Sequence, residues 1–200
     1  MRTAIAFALA AFSLAACGEA AKPEPAPQPR AEEPEPLDPG APAAEIAALS
    51  ACAPVSAEGY CGVTWGMSPS QARGKFPVKL EDYNGDTSAK PDPNACYEMF
   101  AGEPVQGVSF LVEDAKVGRL DVISEGPKTA DGFGVGSQAA AIRTKYGVAL
   151  TEAPNKYEPE VIELTLTQGA SKTIFEVQGD SVRAFRSGVA PTIDYVEHCG

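Results

Sequence analysis

The rhythm of apolar and polar positions divides this 200-residue chain into stretches of different character. A short apolar run from Ala4 to Leu14 follows a single early base, Arg2. From Gly18 to Ala44 there is no periodicity. Prolines stand at 23, 25, 27, 29, 34, 36, 39 and 42 among Ala and Glu. Beyond Glu45 short amphipathic patterns alternate with glycine turns, and period-two alternation takes over at Val108–Val112, Val117–Ile123, Ile162–Thr167, Thr173–Val177 and Ser181–Arg186.

These rhythms predict elements. Alternation bounded by Gly and Asp reads as antiparallel strands with one wet face. Glu113-Asp114-Ala115-Lys116 and Gln178-Gly179-Asp180 are the turns of two expected hairpins, and Asp194–Val196 is a possible last strand. A short helix is expected after Ser68, with Ser68 as cap, Pro69 in the first turn and Gln71 completing a capping box. A second is expected after Ser137 as cap. Ala139, Ile142 and Tyr146 share a face there, and Gly147 is the stop.

The two helical segments align at an offset of 70 residues. Gly62-Val63-Thr64-Trp65-Gly66 matches Gly132-Phe133-Gly134-Val135-Gly136, and Ala72-Arg73-Gly74-Lys75-Phe76 matches Ile142-Arg143-Thr144-Lys145-Tyr146. Trp65 is therefore expected in a core, as the counterpart of Val135. The expected fold is α+β. Two repeated units of short helix and antiparallel hairpin or meander, about 62–125 and 132–200, lie in a globular domain spanning 46–200.

The N-terminal stretches carry a different message. A basic start, an apolar run too short to span a bilayer and small residues before Cys17 read as a signal peptide over residues 1–16. Leu14-Ala15-Ala16-Cys17 resembles a bacterial lipobox, which implies cleavage before Cys17 and lipidation of its thiol, with palmitate-type acyl chains as the anchor. Gly18 in place of Asp points to the outer membrane, facing the periplasm. The cell surface and the inner membrane are the alternatives. Residues 17–45 form a linker whose composition cannot build a core, and alternating proline favours an extended, semi-rigid spacer.

Charge and cysteines narrow the picture. The net charge is -11, which excludes nucleic acid and anionic lipid surfaces as natural partners. The even set Cys52, Cys61, Cys96 and Cys199 implies disulfides in an exported protein. Of three possible pairings, Cys52–Cys61 closes a short loop and Cys96–Cys199 pins the C-terminus, and this pairing is favoured. Each bond contributes roughly 3–5 kcal/mol through chain entropy. A zinc site is the alternative, and the single histidine, His198, and the lack of Cys-x-x-Cys speak against it.

Candidate chemistry is thin. No Gly-x-Ser-x-Gly elbow accompanies His198, which is expected to be satisfied or solvent-facing. Gly132, Gly134 and Gly136 lack the residues of a phosphate loop and suit a tight helix entry. Asp82, Asn84 and Asp86 start like a calcium loop but lack its glycine and glutamate in register. Glu158, Glu160 and Glu163 suggest a solvated surface rather than a glycosidase pair. Tyr60, Tyr97, Phe100 and Tyr157 are the candidate anchors of a binding face.

The segments Gly66-Met67-Ser68-Pro69-Ser70-Gln71 and Gly136-Ser137-Gln138, with the lipobox-like Cys17, resemble the β-lactamase-inhibitor-like repeat and the small outer-membrane lipoproteins of the SmpA/OmlA type. The resemblance spans about Gly62 to Cys199. It implies a protein-binding scaffold whose concave sheet face can grip a partner. With the tether, the two α+β units and no catalytic set, the expectation is a non-enzymatic envelope lipoprotein that binds an envelope protein, without cofactor or metal. The alternatives are an envelope hydrolase using Asp or Glu and a periplasmic small-ligand binder or spacer. Replacing Cys17→Ser is expected to release the protein from tight membrane association, measured by its partition between membrane and soluble fractions.

Overall fold

The computed structural model describes residues 41–83, 91–92, 94–102 and 105–199. Cys17, the lipobox-like segment and the proline-rich stretch through 40 lie outside them, as do Asn84, Gly85 and Asp86. Among the described residues no helix is long and apolar enough to cross a membrane.

The folded part is α+β. Helix α1 (Ala41–Ser50) precedes a small hairpin of β1 (Gly59–Tyr60) and β2 (Val63–Thr64). Helix α2 (Pro69–Lys75) is followed by β3 (Leu80–Tyr83), β4 (Tyr97–Ala101), β5 (Val108–Glu113) and β6 (Lys116–Val122). Helix α3 (Ala139–Tyr146) is followed by β7 (Leu150–Pro154), β8 (Val161–Gln168), β9 (Ser171–Gln178) and β10 (Ser181–Val189). The last eight strands form one antiparallel sheet ordered β3-β4-β5-β6-β10-β9-β8-β7. Two four-strand meanders thus meet along the β6–β10 seam.

The helix starts show how local chemistry operates. Ser68 caps α2 with a complete capping box to Gln71, and Pro69 sits in the first turn. Ser137 does not cap α3. Its hydroxyl instead accepts from the Gly134 amide at 3.0 Å and secures the glycine turn, leaving Gln138 at the cap position without a side-chain bond. The linker expected to run to Glu45 also ends sooner, because Ala41–Glu45 already belong to α1. The alanine-rich run there is strongly helix-forming, and Pro42 is tolerated in a first turn.

One face of the sheet carries the apolar core. Met99, Phe110, Leu120, Phe175 and Phe185 are buried there with Phe76, Ala72 and Ile142 from the helical side. Phe76 meets Phe110 edge-on at 5.2 Å, and Phe175 lies 5.8 Å from Phe185. Trp65 packs against this core half-buried, its indole N–H donating to the Ala57 carbonyl at 2.8 Å.

The opposite face is polar yet covered. By strand alternation it presents Glu98, Ser109, Arg119, Asp121, Arg186, Glu176 and Glu163. The segment 190–199 crosses it as a strap and buries Thr192 and Ile193. The last strand expected at Asp194–Val196 is absent from this strap. Thr192–Asp194 form a 3-10 turn instead, because the Thr192, Ile193 and Tyr195 carbonyls accept from arginines in the sheet and are lost to a ladder. The polar face of the sheet is therefore covered by residues 190–199, as the other face is covered by the apolar core.

Two glycines let these layers approach. A Cβ at Gly188 would lie 2.3 Å from the Gly118 carbonyl oxygen across the β6–β10 seam, and one at Gly118 would lie 2.4 Å from Thr192 Oγ1 in the strap. Backbone cannot yield as a flexible side chain does. Gly188→Ala is expected to destabilise the domain by about 1–3 kcal/mol through overpacking, read from the midpoint of urea unfolding.

Candidate functional site

Two places concentrate features beyond fold maintenance. The first is a cavity of about 500 Å³ beside α1. Ile46 and Leu49 of α1, Cys52, Tyr60, Val105 and Val108 make its apolar wall, and Ser124, Glu125 and Lys128 add polar groups. Its size falls in the range of ligand pockets, about 300–1,000 Å³. The Cys52–Cys61 disulfide, with a Cα separation of 4.9 Å, ties the chain just after α1 to the β1–β2 hairpin and so holds the helical wall. Helix α1 has ten residues, and so short a helix is marginal without such support. Ile46 is 52% exposed, an apolar side chain at the cavity that folding leaves in contact with water.

The second place lies beneath the strap. The Cys96–Cys199 disulfide, with Cα atoms 5.6 Å apart, joins the start of β4 to the chain end. It sets His198 against the sheet, where the imidazole Nδ1 lies 3.2 Å from Glu98 Oε2. Glu98 also accepts from the Ser109 hydroxyl at 3.2 Å. Arg119, 1% exposed, donates from Nε to Asp121 Oδ2 at 2.8 Å and from Nη1 to the Thr192 and Tyr195 carbonyls at 2.9 Å each. Glu98, Asp121 and His198 bring one donor atom each to within 4.8 Å of one another.

Burial and partners move the titrations here. Burial pushes the Asp121 carboxyl above the usual carboxylate range, and Arg119 pulls it part of the way back. The hydrogen bond to Glu98 holds the His198 imidazolium above the ordinary histidine value against the opposing effect of its partial burial. The Ser109 hydroxyl and the imidazole both engage the same carboxylate, an arrangement unlike a nucleophile paired with its base.

The rest of the polar layer is ionically closed. Arg186 donates to Glu176 at 2.6 Å and to Glu163 at 2.9 Å, and its Nε reaches the Ile193 carbonyl at 3.4 Å. Arg183 clasps Glu158 with two bonds of 2.7 Å. Glu158 and Glu163, weighed as paired acids for glycoside cleavage, are thus both held by arginine. Asp82, the one described member of the calcium-like spacing, is bound by Arg73.

The four aromatic candidates do not form one binding face. Tyr97 is buried among core residues because it shares the inward phase of β4 with Met99 and Ala101. Tyr60 is buried as well, but it also lines the cavity. Phe100, half-buried on the other phase, packs edge-on against Tyr83 at 5.7 Å. Tyr157 is 54% exposed in the β7–β8 connection, with Lys156 Nζ 4.8 Å from its ring centre. Only Tyr60 belongs to a candidate site. The sequence signal that was missed is Ile46 and Leu49, three residues apart in an alanine-rich segment just beyond the expected linker, where no helix was expected. Glu98 was missed because a buried acid inside a short strand has no period of its own.

No family model and no curated protein matches the chain. Among solved structures, the chain is similar to an extracellular protein containing an SCP domain from Bacillus anthracis str. Ames, with 11% identity and a TM-score of 0.45. The match covers 62% of this chain and 44% of that one, and at that level it carries nothing about function.

Arg119 is the peg of the second place. Arg119→Met leaves Asp121 buried without its partner and is expected to cost roughly 3–5 kcal/mol. Arg119→Met combined with Asp121→Leu is expected to recover the part due to the unpaired carboxylate, while the part due to the Thr192 and Tyr195 carbonyls remains lost. Chemical unfolding of both variants beside the parent protein checks the pair.

Proposed function

We propose that this protein is a membrane-anchored bacterial envelope lipoprotein whose folded domain is a non-enzymatic binding scaffold, and that the cavity beside α1 takes an apolar segment of an envelope protein partner. The single observation that carries this reading is the cavity itself, with the half-exposed Ile46 on its wall. Exposed apolar surface bounded by polar groups is characteristic of interaction sites. In the chain, α1 directly follows the proline-rich stretch, so the binding element is the part of the domain next to the tether.

Several observations agree with this assignment. Leu14-Ala15-Ala16-Cys17 supplies the anchor, and Gly18 favours the outer membrane facing the periplasm. Two disulfides suit an oxidising compartment outside the cytoplasm. The succession of helix and four strands, twice over, agrees with two repeated units descended from one. Two of the three acids considered for hydrolysis, Glu158 and Glu163, are closed by Arg183 and Arg186, and the third, Glu160, is exposed, which weighs against the hydrolase alternative.

The size of the cavity favours one second reading, a periplasmic small-ligand binder. A photoreactive amino acid at position 46, in the anchored protein in living cells, separates the two. A protein adduct of defined mass, absent when the probe stands at the fully exposed Val148, is the expected result. Adducts confined to small molecules or lipid, or none specific to position 46, overturn the protein-binding reading.

A further inference from the structure

We infer that Glu98, Asp121 and His198 form a binding site for a zinc-type divalent transition-metal cation beneath the C-terminal strap. The three residues come from separate parts of the chain: β4, β6 and the strap. Their donor atoms nonetheless converge to within 4.8 Å of one another. Ligands around a tetrahedral zinc ion, at about 2.0–2.2 Å from the metal, stand about 3.3–3.6 Å apart. Closing the set therefore takes about an ångström of movement. His198 can supply it, because its side chain is half-exposed and its segment is near the chain end.

The surroundings are those of a ligand set rather than a chance group of surface acids. Both carboxylates are buried, Glu98 at 5% and Asp121 at 9% exposure. Each has one oxygen held from outside the group, Glu98 Oε1 by Ser109 and Asp121 Oδ2 by Arg119. Glu98 Oε2 is left facing His198. Outer-shell bonds of this kind orient ligating carboxylates and fix which oxygen meets the metal. The neighbouring Cys96–Cys199 bond anchors the strap residue that follows His198, limiting the space its imidazole can explore.

The donor types select the metal. Calcium asks for six to eight oxygens and magnesium for an octahedron of oxygen and water. One imidazole and two carboxylates suit zinc, with a fourth position open to solvent on the exposed side of His198. The sequence spacing of these residues matches no metal motif, because the sheet and the disulfide bring them together rather than a local loop.

The test is a zinc titration of the full chain in detergent with its disulfides intact. Binding of one equivalent by calorimetry is expected, with the imidazole proton signals of His198, the single histidine of the chain, shifting in step with saturation. His198→Ala, at an exposed position where folding is preserved, is expected to weaken binding at least tenfold, and Asp121→Asn likewise. Tight binding that survives His198→Ala, imidazole signals that do not move, or no saturable binding below millimolar zinc would each mean an adventitious ion only and overturn the assignment.

Discussion

Antiparallel pairing of β6 with β10 is the constraint on which the rest of the molecule depends. It joins two four-strand meanders into one sheet and sets Arg186 opposite Asp121 and Gly188 opposite Arg119. Side chains alternate across the paired residues 119–122 and 185–188, so that register sends Leu120, Val122 and Phe185 to the apolar core. The same register sends Arg119, Asp121 and Arg186 to the other face. A slip by one residue would exchange the two sets and bury arginines against Phe175 and Ile142. The absence of a Cβ at Gly188 is what allows the seam to close to this distance.

The seam also determines where the chain can end. Two arginines stand side by side in the middle of a sheet, away from bulk water, and their donors must be satisfied. Glu176, Glu163 and Asp121 take part of them, and the carbonyls of Thr192, Ile193 and Tyr195 take the rest. The strap is thus held in an irregular conformation by the polar groups beneath it. Lys172 pairing with Asp194, and Tyr195 bonding both oxygens of Glu113, extend the same logic to its margins.

What the residue pattern revealed and what it hid follows from this geometry. Strands β5, β6, β8, β9 and β10 were visible because each has one apolar face, although the polar face expected to be wet is covered along β5 and β6, and the capping box at Ser68 marked α2 without ambiguity. Strand β7 escaped because it is an edge strand, mostly exposed and closed by Pro154, so no alternation is imposed on it. The opposite edge, β3, is exposed over Glu81–Tyr83 and escaped for the same reason. In β4 the inward phase is clear, but the buried Glu98 on its other phase disguises a strand covered on both sides. Cysteine parity announced bonds that tie the chain near α1 and at its C-terminus. It could not announce that one of them would bring His198 to two acids distant in sequence.

The polar layer and its cover are therefore mutually dependent. Of the strap's own large apolar side chains, Ile193 is the one fully buried. One such side chain is too little to order a segment of ten residues against backbone entropy. Arginine bonds to its carbonyls and a disulfide at its end must supply what apolar area does not. Conversely, an apolar cover of the same shape would leave Arg119 and Arg186 with unmet donors, so the charged layer selects a cover rich in inward-facing carbonyls. This is why one face of the sheet has become a closed polar interior. The apolar cavity beside α1 lies elsewhere, where Ile46 remains half in water.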